Sequence, residues 1–496
     1  MLSEQMLPNW LKKRAHTTPD RIAMISDEGR NVTFEQLHER VSVVAAKLAA
    51  WGIAEGDRVA LLMGNKEVTV ECIHALAYLG AVVIPLNTRL AKAECLFQVR
   101  DAEATFLITD DTYSTQAIAV GKEAALHVSS FSQLSQLKEG YVPIKDHFCL
   151  DEVFTIMYTS GTTGDPKGVQ LTYGNHWWSA IGSALNLGLN ASDRWLVCVP
   201  LFHMSGFSIL MRSVIYGMGV VLHPSFDVER VHHSLCHDRI SHISVVSTMI
   251  QQLLDHVDGK TCPNTLRCVL LGGGPAPTHL LERCRDKELP VYQTYGMTET
   301  ASQMATLAPE DMMRKLGSAG KPLFPAELCI VKEGEQQPVG QAGEIAVRGP
   351  NVMKGYWNHP KKNREVFQEG WFYTGDIGKV DEEGFLYVLD RRKDLIISGG
   401  ENIYPAQIEA IISQHPAVHD VAVVAQADKH WGQVPIAFVS LYSSVEEEEL
   451  RRHCAASLAS YKVPKEVRVV SEIPRNASNK IMRHLLVERL IKEEKR

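Results

Sequence analysis

Tyr158-Thr159-Ser160-Gly161-Thr162-Thr163-Gly164-Asp165-Pro166-Lys167-Gly168 follows directly on the apolar run Val153 to Met157. The apolar run reads as a buried strand, and the stretch after it as a loop leaving the sheet. Its glycines let backbone amides approach a polyanion, its hydroxyls add donors, and Lys167 adds charge. That set suits phosphate oxygens. It is not a Walker A loop, because Gly164 is followed by Asp165 rather than by Lys and Ser/Thr. A plain surface turn is the bland reading. It fits poorly with so many hydroxyls and glycines packed between a buried strand and a lysine.

Outward from this loop, strands alternate with helices. Before it, Ile22 to Ser26, Arg58 to Met63, Ala81 to Leu86 and Thr105 to Thr109 read as strands. Thr33 to Trp51 is a helix with Thr33 as N-cap, and Val68 to Leu79 is a helix stopped by Gly80. After it, strands are expected at Trp195 to Val199, Val220 to Leu222, Ile243 to Val246 and Cys268 to Leu271. Such alternation implies parallel sheets covered by helices. Beyond about Leu323 short β runs such as Gly343 to Arg348 and Gly384 to Leu389 point to a β-subdomain. The charged break Asp390-Arg391-Arg392-Lys393-Asp394 precedes a compact α+β pattern. That pattern has helices Ala406 to Ser413 and Glu446 to Ser460 and strands Val421 to Val424 and Ile436 to Leu441. The expected division is 1–390 and 391–496.

The chain has 496 residues, enough for at least two domains, and a net charge of −7, which argues against nucleic-acid binding. Met1 to Arg14 reads as a short amphipathic helix rather than a signal peptide, and no apolar stretch is long enough for a membrane span. The ten cysteines show no metal-ligand spacing, so a reduced cytoplasmic protein is expected. His232, His233 and His237 near Cys236 read as a surface helix rather than a zinc site. Gly317-Ser318-Ala319-Gly320-Lys321-Pro322 has the look of a phosphate loop without its spacing, and is read as a turn.

Three further segments carry chemistry. Tyr292-Gln293-Thr294-Tyr295-Gly296-Met297-Thr298-Glu299, preceded by Gly272-Gly273-Gly274, offers rings, a hydroxyl for a phosphate and a carboxylate for Mg²⁺. Tyr373-Thr374-Gly375-Asp376 places an Asp at a turn end, where it could accept ribose hydroxyls. Pro474-Arg475-Asn476-Ala477-Ser478-Asn479-Lys480 presents a lysine on a polar loop. Singly, each also fits an ordinary turn or a solvated charge.

Together, in this order, these segments resemble the adenylate-forming superfamily of acyl-CoA synthetases, luciferases and adenylation domains. The resemblance implies an α/β fold. Two stacked α/β sheets and a β-subdomain would form a large N-terminal domain that binds ATP and the acid. A small mobile α+β C-terminal domain would carry the catalytic lysine. It implies ATP, Mg²⁺ and CoA as cofactor and co-substrates, and a small carboxylic acid as partner. By the same resemblance Thr159, Ser160, Gly161, Thr162, Thr163, Gly164 and Lys167 would hold the triphosphate. Gly272, Gly273, Gly274, Tyr295 and Gly296 would frame the adenine. Thr298 would touch the α-phosphate, Glu299 the Mg²⁺, and Asp376 with Arg391 the ribose. Lys480 would bridge carboxylate and α-phosphate, with Thr298, Glu299 and His203 in the reacting set. Lys393-Asp394 would be a hinge, and Ser398 to Asn402 would face the site after rotation.

Amino-acid-activating relatives carry an Asp at the place of His203, so an amino acid substrate is disfavoured. Ser183 to Gly188, Asp193 to Leu196, Ser213 to Met218 and Leu271 to Pro277 resemble the 2-succinylbenzoate–CoA ligase family of menaquinone biosynthesis. His203, Ser205, Asn186, Arg212 and Thr248 are the polar candidates for the acid pocket. The alternatives are a CoA ligase for another aryl or medium-chain acid, and a catalytically silent nucleotide-binding regulator. A homo-oligomer is compatible with the sequence.

Overall fold

The computed structural model describes residues 5–140, 144–159, 166–257, 264–274, 276, 278–390, 395–475 and 481–494. Two compact units emerge from the chain's contacts. The first comprises Met1–Thr88, Val99–Met157 and Gly168–Leu389, and the second Arg89–Gln98, Tyr158–Lys167 and Asp390–Arg496.

The first unit is organised by two large sheets. In the seven-stranded sheet Val153–Thr159, Val82–Pro85, Arg58–Leu62, Phe106–Thr109 and His127–Ser130 run parallel, and Gly355–Tyr356 forms an edge against Lys167–Thr172. In the nine-stranded sheet Cys268–Leu271, His242–Val245, Arg194–Val197 and Gly219–Leu222 form the parallel centre. Val291–Met297 continues it and turns back antiparallel into Ser302–Leu307. One apolar core holds Val59, Val83 and Leu171 of the first sheet together with Trp195, Val220 and Leu270 of the second. Helix Glu67–Leu79 belongs to that core and is buried without a break from Thr69 to Leu79. A helix buried on every face has neighbours on every face, which is why its apolar pattern is continuous rather than striped. A six-stranded antiparallel sheet built on Glu327–Lys332, Gly343–Arg348 and Trp371–Val380 supplies the β-subdomain.

The second unit centres on the long hairpin Val418–Asp428 and Gly432–Leu441, with Glu466–Val469 parallel beside it. Strand alternation divides its core in two. Val421 and Val423 face helices Pro405–Ile412 and Glu447–Ala455, while Ala422 and Val424 face helix Arg483–Glu494. This unit also buries a carboxylate. Glu94 accepts from Lys462 Nζ, from Gln407 Nε2 at 3.1 Å and from the amide of Ala459 at 2.7 Å. Both side chains of the Glu94–Lys462 pair are about 95% buried, at 5% and 4% exposure.

The expected boundaries shift where caps and pairing decide them. Thr33 caps its helix with a full capping box, and Gly80 ends the next helix in the left-handed region. The N-terminal helix begins only at Trp10. Met6–Pro8 is instead a strand against His147–Cys149, and Asn9 caps the helix by accepting from Lys12. The helix expected over Glu446 to Ser460 stops at Ala455 and gives way to a 3₁₀ turn, Ser460–Lys462. Its acidic residues Glu447, Glu448 and Glu449 do occupy the first turn, where the helix dipole favours them. Lys321–Pro322 is an edge strand rather than only a turn, pairing with Ala305 and Thr306. Gly320 permits it, since a Cβ there would lie 1.9 Å from the Thr306 backbone.

Candidate active site

The hairpin turn after Val291–Met297 gathers most of the chemistry. Gly296 lies at a bulge, and a Cβ there would fall 1.9 Å from the Ser302 carbonyl oxygen, so only glycine lets the chain fold back this tightly. Thr298–Thr300 is a short 3₁₀ turn, followed by Ala301 at φ 50° and Ser302 at φ 107°. Neither residue is glycine, and such backbone costs on the order of 1–3 kcal/mol per residue. Hydrogen bonds hold it in place. Thr300 Oγ1 donates to the Ser302 carbonyl at 2.9 Å, Ser179 Oγ donates to Ala301 O at 2.5 Å, and Asn351 Nδ2 donates to Thr300 O at 3.0 Å.

This turn fixes Glu299. Its side chain is buried at 5% exposure, and one carboxylate oxygen accepts from Tyr356 Oη at 2.8 Å. Its other oxygen accepts from no described residue. Thr298 is half-buried beside it. Upstream in the same strand Tyr295 is buried, and its hydroxyl donates to Asp376 Oδ2 at 2.8 Å. Two residues expected at the nucleotide are thus brought together, the phenol orienting the carboxylate. Asp376 does not end a turn as expected. It lies within strand Trp371–Val380, at an irregularity opened by Gly375 at φ 78°. Gly272, Gly273 and Gly274 follow strand Cys268–Leu271, with Gly273 left-handed at φ 84° and backed by Val246.

Thr159 ends its strand half-buried, and Lys167 opens the next one with its side chain buried. Ser160, Gly161, Thr162, Thr163, Gly164, Arg391, Lys393, Asp394 and Lys480 lie outside the described residues.

The acid-pocket candidates separate. Arg212, on helix Met204–Tyr216, is buried at 1% exposure. Its Nη2 donates to Ser302 Oγ at 3.2 Å, and its guanidinium lies 5.1 Å from the Trp195 ring centroid. Its Nε has no partner. Tyr216, one helical turn on, donates to Ala180 O and lies beside Arg212. Among the described residues no carboxylate pairs with this cation, and burial pulls the guanidinium below its ordinary value. On the other ring of this cluster, His242 stacks on Trp195 at 4.8 Å. Burial lowers the His242 pKa to about 4, so it is neutral. None of the other four candidates hydrogen-bonds to Arg212. His203 is half-buried before the same helix, Ser205 is exposed in its first turn, and Thr248 is half-buried in helix Ser247–His256. Asn186 is exposed in the last turn of helix Tyr173–Leu187.

Ser302, Tyr216, Trp195 and Tyr356 were not anticipated. Tyr216 was legible as the i+4 neighbour of Arg212. Tyr356 reaches Glu299 across 57 residues of sequence and leaves no local signal. Among the described residues there is no group of three His, Cys, Asp or Glu side chains able to hold a metal. The helix Val228–His237 brings Cys236 Sγ only to His232, at 3.6 Å. Glu299, with one carboxylate oxygen uncommitted among the described residues, could hold a hard cation together with substrate oxygens, which is the usual manner of Mg²⁺. The donor set fits it.

Comparison with known proteins places this geometry. The AMP-binding enzyme family model matches residues 11–357, and the AMP-binding enzyme C-terminal domain matches residues 407–480. The chain belongs to the AMP-binding enzyme family. Within it, the 2-succinylbenzoate–CoA ligase of Geobacillus sp. (strain WCH70) is 52% identical over 482 residues, covering 97% of each chain. That of Geobacillus kaustophilus is 52% identical over 490 residues, covering 98% of this chain and 99% of its own. Two solved structures of the o-succinylbenzoate CoA synthetase from Bacillus subtilis resemble this AMP-binding enzyme at 48% identity. A double mutant bound to its product analogue has a TM-score of 0.94 and covers 97% of this chain and 98% of its own. The complex with ATP and magnesium ion has a TM-score of 0.77 and covers 97% and 100%. The two-sheet α/β fold, the β-subdomain and the smaller C-terminal domain are those of this family.

Proposed function

We propose that this AMP-binding enzyme converts 2-succinylbenzoate, ATP and CoA into 2-succinylbenzoyl-CoA, AMP and diphosphate, a step of menaquinone biosynthesis. It is an ATP-dependent, AMP-forming ligase. The observation that carries the choice of acid is Arg212. A buried guanidinium without a carboxylate is costly, and a dicarboxylic substrate supplies what is missing. One carboxylate reacts while the other pairs with Arg212. Ser302, its hydrogen-bond partner, follows Glu299 by three residues in the same turn.

In the first half-reaction a carboxylate oxygen attacks the α-phosphorus and diphosphate leaves. In the second, the CoA sulfur attacks the acyl carbon and AMP leaves. Bound Mg²⁺ supplies charge neutralisation on the phosphates. Thr159, Lys167 and the hydroxyl-rich loop between them bind the triphosphate, and Thr298 touches the α-phosphate. Gly272 to Gly274, Tyr295 and Gly296 frame the adenine. Asp376, oriented by Tyr295, binds the ribose with Arg391. Lys480 stabilises charge in the adenylation transition state, and rotation at Lys393-Asp394 exchanges the C-terminal surfaces presented to the intermediate. ATP and CoA as substrates point to the cytoplasm, and no helix among the described residues is long and apolar enough to cross a membrane.

The test is CoA-dependent AMP release with 2-succinylbenzoate beside benzoate, 4-coumarate, octanoate and amino acids. Turnover selective for 2-succinylbenzoate is expected. Selective turnover of a monocarboxylate would discard the substrate, and ATP binding without turnover of any acid would favour a silent regulator.

A further inference from the structure

Glu299 is held unlike an ordinary metal-binding carboxylate at a surface. It is buried, and one of its oxygens is already occupied by a phenol. That phenol is itself rigidly mounted. Tyr356 is 2% exposed and sits on the two-residue edge strand Gly355–Tyr356. The strand pairs with Val169 and Gln170, directly after the hydroxyl-rich loop. Asn363 clamps the backbone of Tyr356 on both polar groups: its Oδ1 accepts from the Tyr356 amide at 2.8 Å, and its Nδ2 donates to the Tyr356 carbonyl at 2.9 Å. The amide of Trp357 donates to Gly168 O at 2.7 Å, and the amide of Met353 donates to Glu299 O at 2.8 Å. The main chain that carries the phenol and the main chain that carries the carboxylate are thus both held.

A neutral phenol donating to one carboxylate oxygen does two things. It stops the carboxylate from rotating, and it leaves a single oxygen for a cation. Mg²⁺ demands near-octahedral geometry and prefers one oxygen per carboxylate, with phosphate and water oxygens completing the shell. Partners behind a metal ligand commonly tune affinity by about tenfold or more.

From this geometry we infer that Tyr356 is a positioning residue for the metal site, holding Glu299 so that only its second oxygen is presented to the Mg²⁺ of Mg·ATP. This rests on the reading of Glu299 as the metal ligand. Tyr356 touches neither nucleotide nor acid in this scheme. Its loss lowers metal affinity without lowering affinity for the nucleotide alone.

The experiment measures Mn²⁺ binding by electron paramagnetic resonance in the presence of α,β-methylene-ATP, and binding of the same analogue without metal by calorimetry. Wild type, Tyr356→Phe and Glu299→Gln are compared. Tyr356→Phe is expected to weaken Mn²⁺ binding by about tenfold, with metal-free analogue binding unchanged within about twofold. Unchanged Mn²⁺ affinity in Tyr356→Phe, with loss in Glu299→Gln, overturns the positioning role and leaves the ligand assignment standing. Unchanged Mn²⁺ affinity in Glu299→Gln overturns the ligand assignment itself. Equal loss of metal and of metal-free analogue binding in Tyr356→Phe overturns the inference in favour of a general structural role. If Tyr356→Phe does not fold, Asn363→Ala replaces it. A selective loss of Mn²⁺ binding then supports the inference, and its absence overturns it.

Discussion

Glu94 and Arg212 are both buried charges, and their surroundings differ in kind. Glu94 is met by an ammonium, a side-chain amide and a backbone amide. Arg212 is met by a serine hydroxyl, a phenol and an indole face, with one nitrogen unpartnered. In the first the chain itself supplies the countercharge, although Gln407 Oε1 is left without a partner. Among the described residues the second has no anion. A buried charge balanced by the protein serves the fold, whereas one left unbalanced marks where a ligand of opposite charge belongs.

The contrast can be broken most easily at its balanced end. Lys462→Met strands the Glu94 carboxylate and is expected to destabilise the protein by about 3–5 kcal/mol, read by urea denaturation. A loss below about 1 kcal/mol would mean that the amides suffice, and Glu94 would no longer be a paired charge.

Acid titration comes next. His242 has a folded pKa of about 4 through burial, offset in part by Asp193 and reinforced by Arg267 and Arg212. The unfolded chain therefore binds the proton first. Stability is retained above about pH 6.5 and lost as pH falls toward 4, by on the order of 3 kcal/mol for this group. His74, also lowered to about 4, adds to the same window. His242→Gln should flatten part of the slope in denaturation curves taken between pH 7 and 4. An unaltered slope would show that protonation beside the lone cation costs little.

Arg212→Met tests the unbalanced end. Removing an unbalanced buried charge should leave thermal stability unchanged or raised. It should also weaken 2-succinylbenzoate by about 1.5–3 kcal/mol, roughly ten- to a hundredfold in KM, without affecting a monocarboxylate such as benzoate. Equal losses for both acids would remove Arg212 from recognition. The smallest expected effect belongs to Tyr216→Phe, about 0.5–1.5 kcal/mol in KM for 2-succinylbenzoate. No change at all would show that the phenol does not steady the guanidinium.

The two charges also differ in how well the sequence announces them. Arg212 was one of five polar candidates for the acid pocket, beside the plainer reading of a solvated helix residue. Glu94 and Lys462 lie 368 residues apart, and no local pattern joins them. The same division runs through the whole molecule. The N-cap at Thr33, the helix stop at Gly80 and the parallel strands follow from short-range spacing and were read correctly. The strand at Met6–Pro8 depends on a partner at His147–Cys149, and beyond helix Glu447–Ala455 the amide of Ala459 is taken by the distant Glu94, so both escaped. In the site, Glu299, Thr298 and Asp376 were legible as motif residues. Tyr356 and Ser302 were not, because each acts through a contact that only the folded hairpin makes.

The stack of Arg212 on Trp195 has an optical consequence. An indole with a cation fixed over its face sits in a strong local electric field, and Trp195 is 1% exposed, so water does not average that field away. Neutralising the guanidinium with a bound carboxylate changes the field at the ring and with it the energy of the excited state. On the proposed pairing of the acid with Arg212, the enzyme would carry its own spectroscopic gauge of occupancy, one that responds to the charge of the acid rather than to its turnover.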